Sequence, residues 1–229
     1  MGKQSRRNRK QAKNQANHQD SAESRQTRTD AELRAIITST DPLDQELVRL
    51  IKQHATYRNK ADGLQEEAQA YLSEVVPVDR YKYAKHYCII RAWQLYNLLV
   101  QNLRGLMNHN RYVKNGNVPA DITLATLDAS ALKHLGNFYI YLHNKNRSKA
   151  LQLFKEYQQS RSEAMDHMMF GDTGKDLKMD FGDDNGGLIS GDTEEALRKF
   201  SEWVTEEKKE IEKLWRILFR EEMPVIQLE

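Results

Sequence analysis

With Cys88 as the only cysteine in 229 residues, no internal disulfide framework can staple the fold, and a reducing compartment suits the chain. Paired cysteines for a zinc site are missing with it. Only four prolines occur. Neither proline nor glycine interrupts the stretch from Arg80 to Arg104, which leaves a long helix free to form. Six of the eleven glycines crowd between Gly171 and Gly191. No apolar run approaches the length that crosses a bilayer, so no membrane partner is expected. The basic N-terminus has no apolar region behind it, and Arg6 stands where myristoylation needs Ser or Thr; no secretory or lipid signal is expected. Acid is absent from Arg80 to Ala120, between Asp79 and Asp121. Also missing are a phosphate loop with a following Lys-Ser or Lys-Thr, a nucleophile elbow and any histidine pair at ligand spacing. No catalytic residue, metal, cofactor or small-molecule substrate is assigned, and the chain is expected not to be an enzyme.

What is present is one dominant segment. Tyr87 to Val100 is apolar at eleven of fourteen positions, the exceptions being Arg91, Gln94 and Asn97. Arg91, Gln94, Asn97, Gln101, Arg104, Asn108, Arg111 and Asn115 recur in steps of three or four, which places them on one helical stripe. Two readings stay open for it. One is the solvated face of an amphipathic helix. The other is a surface for phosphates and base edges, since Arg forks match phosphate oxygens and amides both donate and accept. The spacing puts Arg104 and Arg111 on the accessible side and Arg91 partly inside, where apolar density is greatest.

The net charge of +2 conceals strong segregation. Residues 1–19 hold six basic residues and no acid; residues 80–155 hold twelve against Asp121 and Asp128; residues 161–229 hold ten against eighteen acidic ones. Two basic zones imply a polyanionic partner, with the acidic end as counterweight or second interface.

Residues 1–29 contain no aromatic and no large aliphatic beyond Met1. They read as a disordered basic arm, because burial cannot offset their ordering entropy. Gln4-Ser5-Arg6-Arg7, then Arg9-Lys10, Ala12 and Gln15-Ala16, resemble the arginine-rich RNA-binding peptides of lambdoid phage antitermination proteins. That resemblance covers about fifteen residues and implies that 4–18 turn helical on an RNA hairpin. It departs from the pattern in having fewer arginines and His18 where a stacking aromatic is expected.

A helical core is expected over 30–166. Ala31–Ile37 reads as a short helix. Asp41 caps the next one, Pro42 suits its first position and Asp44 favours its positive dipole end. Its apolar face runs from Leu43 through Leu47, Leu50, His54, Tyr57, Ala61, Leu64 and Ala68 to Tyr71 and Leu72, fading near Val75, with His54 partly buried and satisfied. Pro77 separates it from the central helix, which Asn115-Gly116-Asn117 and Pro119 end. Residues 120–127 read as loop or short turn, with Thr126 or Asp128 capping a helix whose inner side carries Leu132, Leu135, Phe138, Tyr139 and Leu142. After a polar turn at 143–146, Ser148 opens a helix with Leu151, Leu153, Phe154 and Tyr157 that fades near Met165. This pair resembles a tetratricopeptide-type hairpin through Lys149-Ala150-Leu151 and Phe154, in one copy where such folds stack several. Lys133, Lys145, Arg147, Lys149 and Lys155 spread positive charge across it.

Residues 167–191 read as an acidic Gly/Asp-rich linker. A calcium loop from Asp183 to Glu194 would place Leu188 where the sharp turn needs glycine, so no metal is assigned. Residues 192–229 read as a C-terminal amphipathic helix opening at Asp192 with Glu195 as capping-box partner. Its stripe includes Leu197, Phe200, Trp203, Val204, Ile211, Leu214, Trp215, Leu218 and Phe219. Such a helix either docks on the core or binds a second copy or another protein, with Trp203, Trp215, Leu218 and Phe219 as the binding residues.

The expectation is an all-α helical bundle with a long central helix and no sheet. The leading function is nucleic-acid binding, RNA ahead of DNA, in a viral or phage-like nucleoprotein, packaging or regulatory role, with cytoplasmic or virion location. Arg6, Arg7, Arg9, Lys10, Lys13, Arg91, Arg104, Arg111, Lys114, Lys145, Arg147 and Lys149 are the candidate nucleic-acid contacts. The alternative is a helical adaptor or scaffold working through the acidic linker and the Trp-bearing helix.

Overall fold

The computed structural model describes residues 31–32, 34–74, 79–116, 123–170 and 193–226. The basic arm, with Arg6, Arg7, Arg9, Lys10 and Lys13, and residues 171–191 of the acidic linker lie outside them. Every regular element among the described residues is helical. After a short helical stretch ending at 38 come α1 (Pro42–Ser73), α2 (Arg80–Lys114), α3 (Thr123–His143), α4 (Arg147–Phe170) and α5 (Thr193–Phe219). The protein is an all-α helical bundle, and no helix among the described residues is long and apolar enough to cross a membrane.

The chain divides into two units between Arg49 and Leu50. In the first, the Asp41 carboxylate accepts from the Leu43 amide at 2.8 Å, the cap expected for α1. Leu47 and Asp44 are buried there, and Arg49 pairs with Glu46 at 2.5 Å.

The second unit, Leu50–Glu229, is built around α2. Asp79 caps this helix by accepting from the Tyr81 amide at 2.9 Å. Asn115 closes it, and Gly116 follows at φ +80°, a left-handed turn that glycine adopts without Cβ strain. One side of α2 (Ala84, Cys88, Ala92, Leu95) shares a core with Leu135, Phe138, Tyr139 and Leu142 of α3, Phe154 and Tyr157 of α4, and Ile211, Leu214, Trp215 and Leu218 of α5. Another side (Tyr96, Leu99, Leu103, Leu106) packs with Leu50 and Ala61 of α1. A third cluster joins Leu124, Ala164 and Phe200. α3 approaches α2 closely at Gly136, where a Cβ would lie 3.0 Å from the Tyr96 ring. Beside it the Asn137 side-chain oxygen accepts from both the Tyr96 hydroxyl and Lys60 Nζ at 2.7 Å, tying α1, α2 and α3 together.

Several boundaries differ from the sequence reading. α3 starts at Thr123, so neither Thr126 nor Asp128 is its cap; Asp128 instead pairs with the buried Arg161 of α4. α4 starts at Arg147 rather than Ser148, because Asn146 caps it, accepting from the Lys149 amide at 3.2 Å. It continues past Met165 to Phe170, since Ala164 is still packed against Leu124 and Phe200. Leu72, placed on the core face by periodicity, is 58% exposed at the end of α1. His54 is partly buried as expected, but its Nε2 has no hydrogen-bond partner among the described residues. α5 is not a separate body: its apolar stripe completes the core of the second unit.

Candidate nucleic-acid interface

Because α1 from Leu50 onward covers one side of α2, and α3, α4 and α5 cover another, a strip of that helix is left open among the described residues. Gln94, Leu98, Gln101, Arg104, Asn108, Arg111, Tyr112 and Asn115 are exposed along it. α2 contains no Asp or Glu, so nothing on the helix neutralises the strip. Arg104 and Arg111 form no ion pair among the described residues, while Lys114 is exposed at the helix end. Arg104 stands close enough to His54 of α1 to help burial hold that imidazole's pKa down.

Arg91, the upper member of the sequence stripe, has a different role. Its guanidinium donates to both carboxylate oxygens of Glu207 on α5, at 2.5 and 3.3 Å. The Glu207 side chain is 6% exposed and that of Arg91 20%. Tyr139 of α3 donates its hydroxyl to the same carboxylate at 2.6 Å. Burial works against the Arg91 charge, but Glu207 more than restores it, and the pKa rises. The assignment of Arg91 to a nucleic-acid surface is therefore corrected: its charge is paired with the buried Glu207 through two of its donors, which locks α5 onto α2 and α3.

The second group, Lys145, Arg147 and Lys149, surrounds the α3–α4 turn. Lys145 sits at φ 55°, with its ammonium 4.6 Å from the Tyr81 ring centre. Arg147 pairs with Glu221 at 2.9 Å, and Lys149 donates to Gln152 at 2.9 Å. The turn, with Asn144, Asn146 and Ser148, lines an open concavity. Since Lys145 lies over Tyr81, this group sits at the N-terminal end of α2. At 1.5 Å per residue, Arg104 and Arg111 lie roughly 35 and 45 Å farther along its axis. The structure thus separates the core's basic residues into two patches at opposite ends of α2 rather than one continuous surface.

The residues assigned to a protein partner are mostly internal. Trp215 and Leu218 are 0% and 4% exposed in the shared core. Phe219 and Trp203 pack against that core, and Trp203 also covers the Arg161 guanidinium, 4.5 Å from its ring centre. A surface for another protein at Trp215 and Leu218 is excluded by burial, which corrects that assignment.

Two buried polar anchors escaped the sequence reading, Glu207 with Tyr139 and Arg161 with Asp128. A signal for each existed. Glu207 falls on the apolar stripe between Val204 and Ile211, and Arg161 continues the spacing from Phe154 and Tyr157 to Ala164. A charge at such a position needs a buried partner. Sequence spacing does not say which residue supplies it. No protein-family model, curated protein or solved structure matches this chain.

Proposed function

We propose that this chain is a non-enzymatic nucleic-acid-binding protein, with RNA ahead of DNA, of the kind that serves as a nucleoprotein, packaging or regulatory factor in viruses and phages. The observation that carries the reading is the exposure of Arg104 and Arg111, without ion pairs among the described residues, on a helix that has no carboxylate. A solvated face in a chain with 30% charged residues would normally mix both signs. Lys145 and Lys149 at the far end of α2 and the six basic residues of positions 1–19 supply further phosphate contacts. The adaptor reading draws no support from α5, whose large apolar residues close the core of their own chain.

Fluorescence anisotropy of the full chain against labelled RNA, single-stranded DNA and duplex DNA tests the proposal. Each phosphate contact releases counterions, so affinity should fall steeply with salt. Arg104→Gln with Arg111→Gln should lower the salt slope by about 2 while leaving the melting temperature in place. Failure to bind any nucleic acid at about 50 mM salt overturns the proposal.

A further inference from the structure

We infer that the open strip of α2 is a track for a single strand of nucleic acid, reading its bases as well as its phosphates; the inference rests on the nucleic-acid reading above. Gln94, Gln101, Asn108 and Asn115 stand seven residues apart and all four are exposed. A heptad advances about 10.5 Å and rotates only about 20° out of line, so the four amides form a ladder along one edge of the helix. Gln101 and Asn108 have no hydrogen-bond partner among the described residues, whereas Gln94 accepts weakly from Arg91 at 3.4 Å. Each lower rung is followed three residues later by an arginine: Gln101 by Arg104 and Asn108 by Arg111. The strip therefore repeats one unit, an amide that both donates and accepts beside a guanidinium that only donates. A nucleic-acid strand repeats the complementary unit, a base edge beside a phosphate.

The form of the ligand follows from how α2 is seated. A helix reads duplex DNA by entering a major groove about 8.5 Å deep, and the RNA duplex keeps its major groove too narrow for side chains. α2 is flanked by α1, whose His54 stands near Arg104, and by α5, whose Glu207 holds Arg91. It offers a face rather than a free ridge, which suits bases already splayed out of a stack. Tyr112, 57% exposed, lies on the same strip. Beyond Gln94 the next cation of the stripe, Arg91, is already paired with the buried Glu207, so the track ends near Gln94. An acidic peptide fits less well: it needs a cation at each turn, and this face offers one in two, with amides between.

The test uses the full chain and single-stranded probes of about 12 nucleotides, one with normal bases and one abasic, beside a duplex of equal charge. The base-bearing strand should bind at least about tenfold tighter than the abasic one, in line with base stacking and base-edge contacts. Gln101→Ala with Asn108→Ala should remove most of that preference, while abasic binding and melting temperature stay unchanged. Arg104→Gln with Arg111→Gln should weaken both strands equally. Equal affinity for the two strands, a preference for duplex, or an amide variant that keeps the preference each overturns the track and leaves general nucleic-acid binding standing. A sedimentation change in the amide variant without nucleic acid assigns the strip to a second copy of the chain and overturns it too. No binding to any probe removes the underlying reading as well.

Discussion

Glu207 is the residue on which the docking of α5 turns. Its carboxylate receives Arg91 and Tyr139 with 6% of its side chain exposed. Removing one charge of such a pair leaves the other half-buried and uncompensated, which costs more than the pair contributes over an apolar replacement. Glu207→Gln keeps the shape but turns an amide donor towards the guanidinium. It should cost about 2–4 kcal/mol, a fall of roughly 5–15 °C in melting temperature. Unchanged melting would show that the pair is not closed in solution. Three histidines set a pH window of their own. Burial is the main cause that lowers the pKa of His54, His86 and His134 below 6.5. His86 lies flat on Tyr71 at 3.9 Å, with Glu74, Glu67, Lys82 and His143 around it. A depressed folded pKa means that the unfolded chain takes up protons first as pH drops. Stability from neutral rings is therefore complete above about pH 6.5 and declines below it. Thermal melts from pH 8 to 5 should show this fall, and a His86→Gln chain should show a shallower one; a flat profile contradicts the assignment.

At the scale of the element, helix positions were legible and helix partners were not. Asp41-Pro42 marked the start of α1, and Asn115-Gly116 the end of α2, because capping and left-handed turns are written in local chemistry. α3 began before either residue read as its cap, since Asp128 is held by Arg161 across α3 and α4, a pairing 33 positions apart. The sequence reading left Trp215 to the core, to a second copy or to another protein, because an apolar stripe does not name what covers it. Its burial against α2, α3 and α4 implies that Trp215→Ala should cost about 3–5 kcal/mol, read by chemical denaturation. Leu98→Ala on the open strip should stay within about 0.5 kcal/mol, as an exposed site away from caps and core. Equal losses at both positions would mean that the strip is covered in solution.

Charge is organised at the scale of the whole molecule. The acidic C-terminal third, with eighteen acidic residues against ten basic ones, contributes α5. That helix neutralises Arg91, and Glu221 beyond it neutralises Arg147. Arg104 and Arg111 at one end of α2 and Lys145 at the other stay exposed, with Lys149 half-buried beside it. Removing residues 1–29 should weaken RNA binding and flatten its salt dependence, since eight basic residues go with them. It should leave the melting transition of the helical bundle in place, because that segment carries no aromatic and no large aliphatic residue beyond Met1 to add to a core. A titration in salt with both chains checks this, and identical salt slopes would exclude the arm from binding.

The sequence by itself determined that the protein is helical, where most helices begin and end, which side of each is apolar, and that charge of one sign is gathered in zones. These properties depend on neighbours three or four positions apart, on caps and on turns, all of which act within a few residues. Only the tertiary structure decided which cations remain available. Arg91 and Arg104 lie on one stripe and look alike in sequence, yet Glu207 stands 116 positions from Arg91 and reaches it only when α5 docks. The reason is physical: pairing depends on separation in space and on local burial, and a folded chain sets both through contacts that sequence distance does not measure.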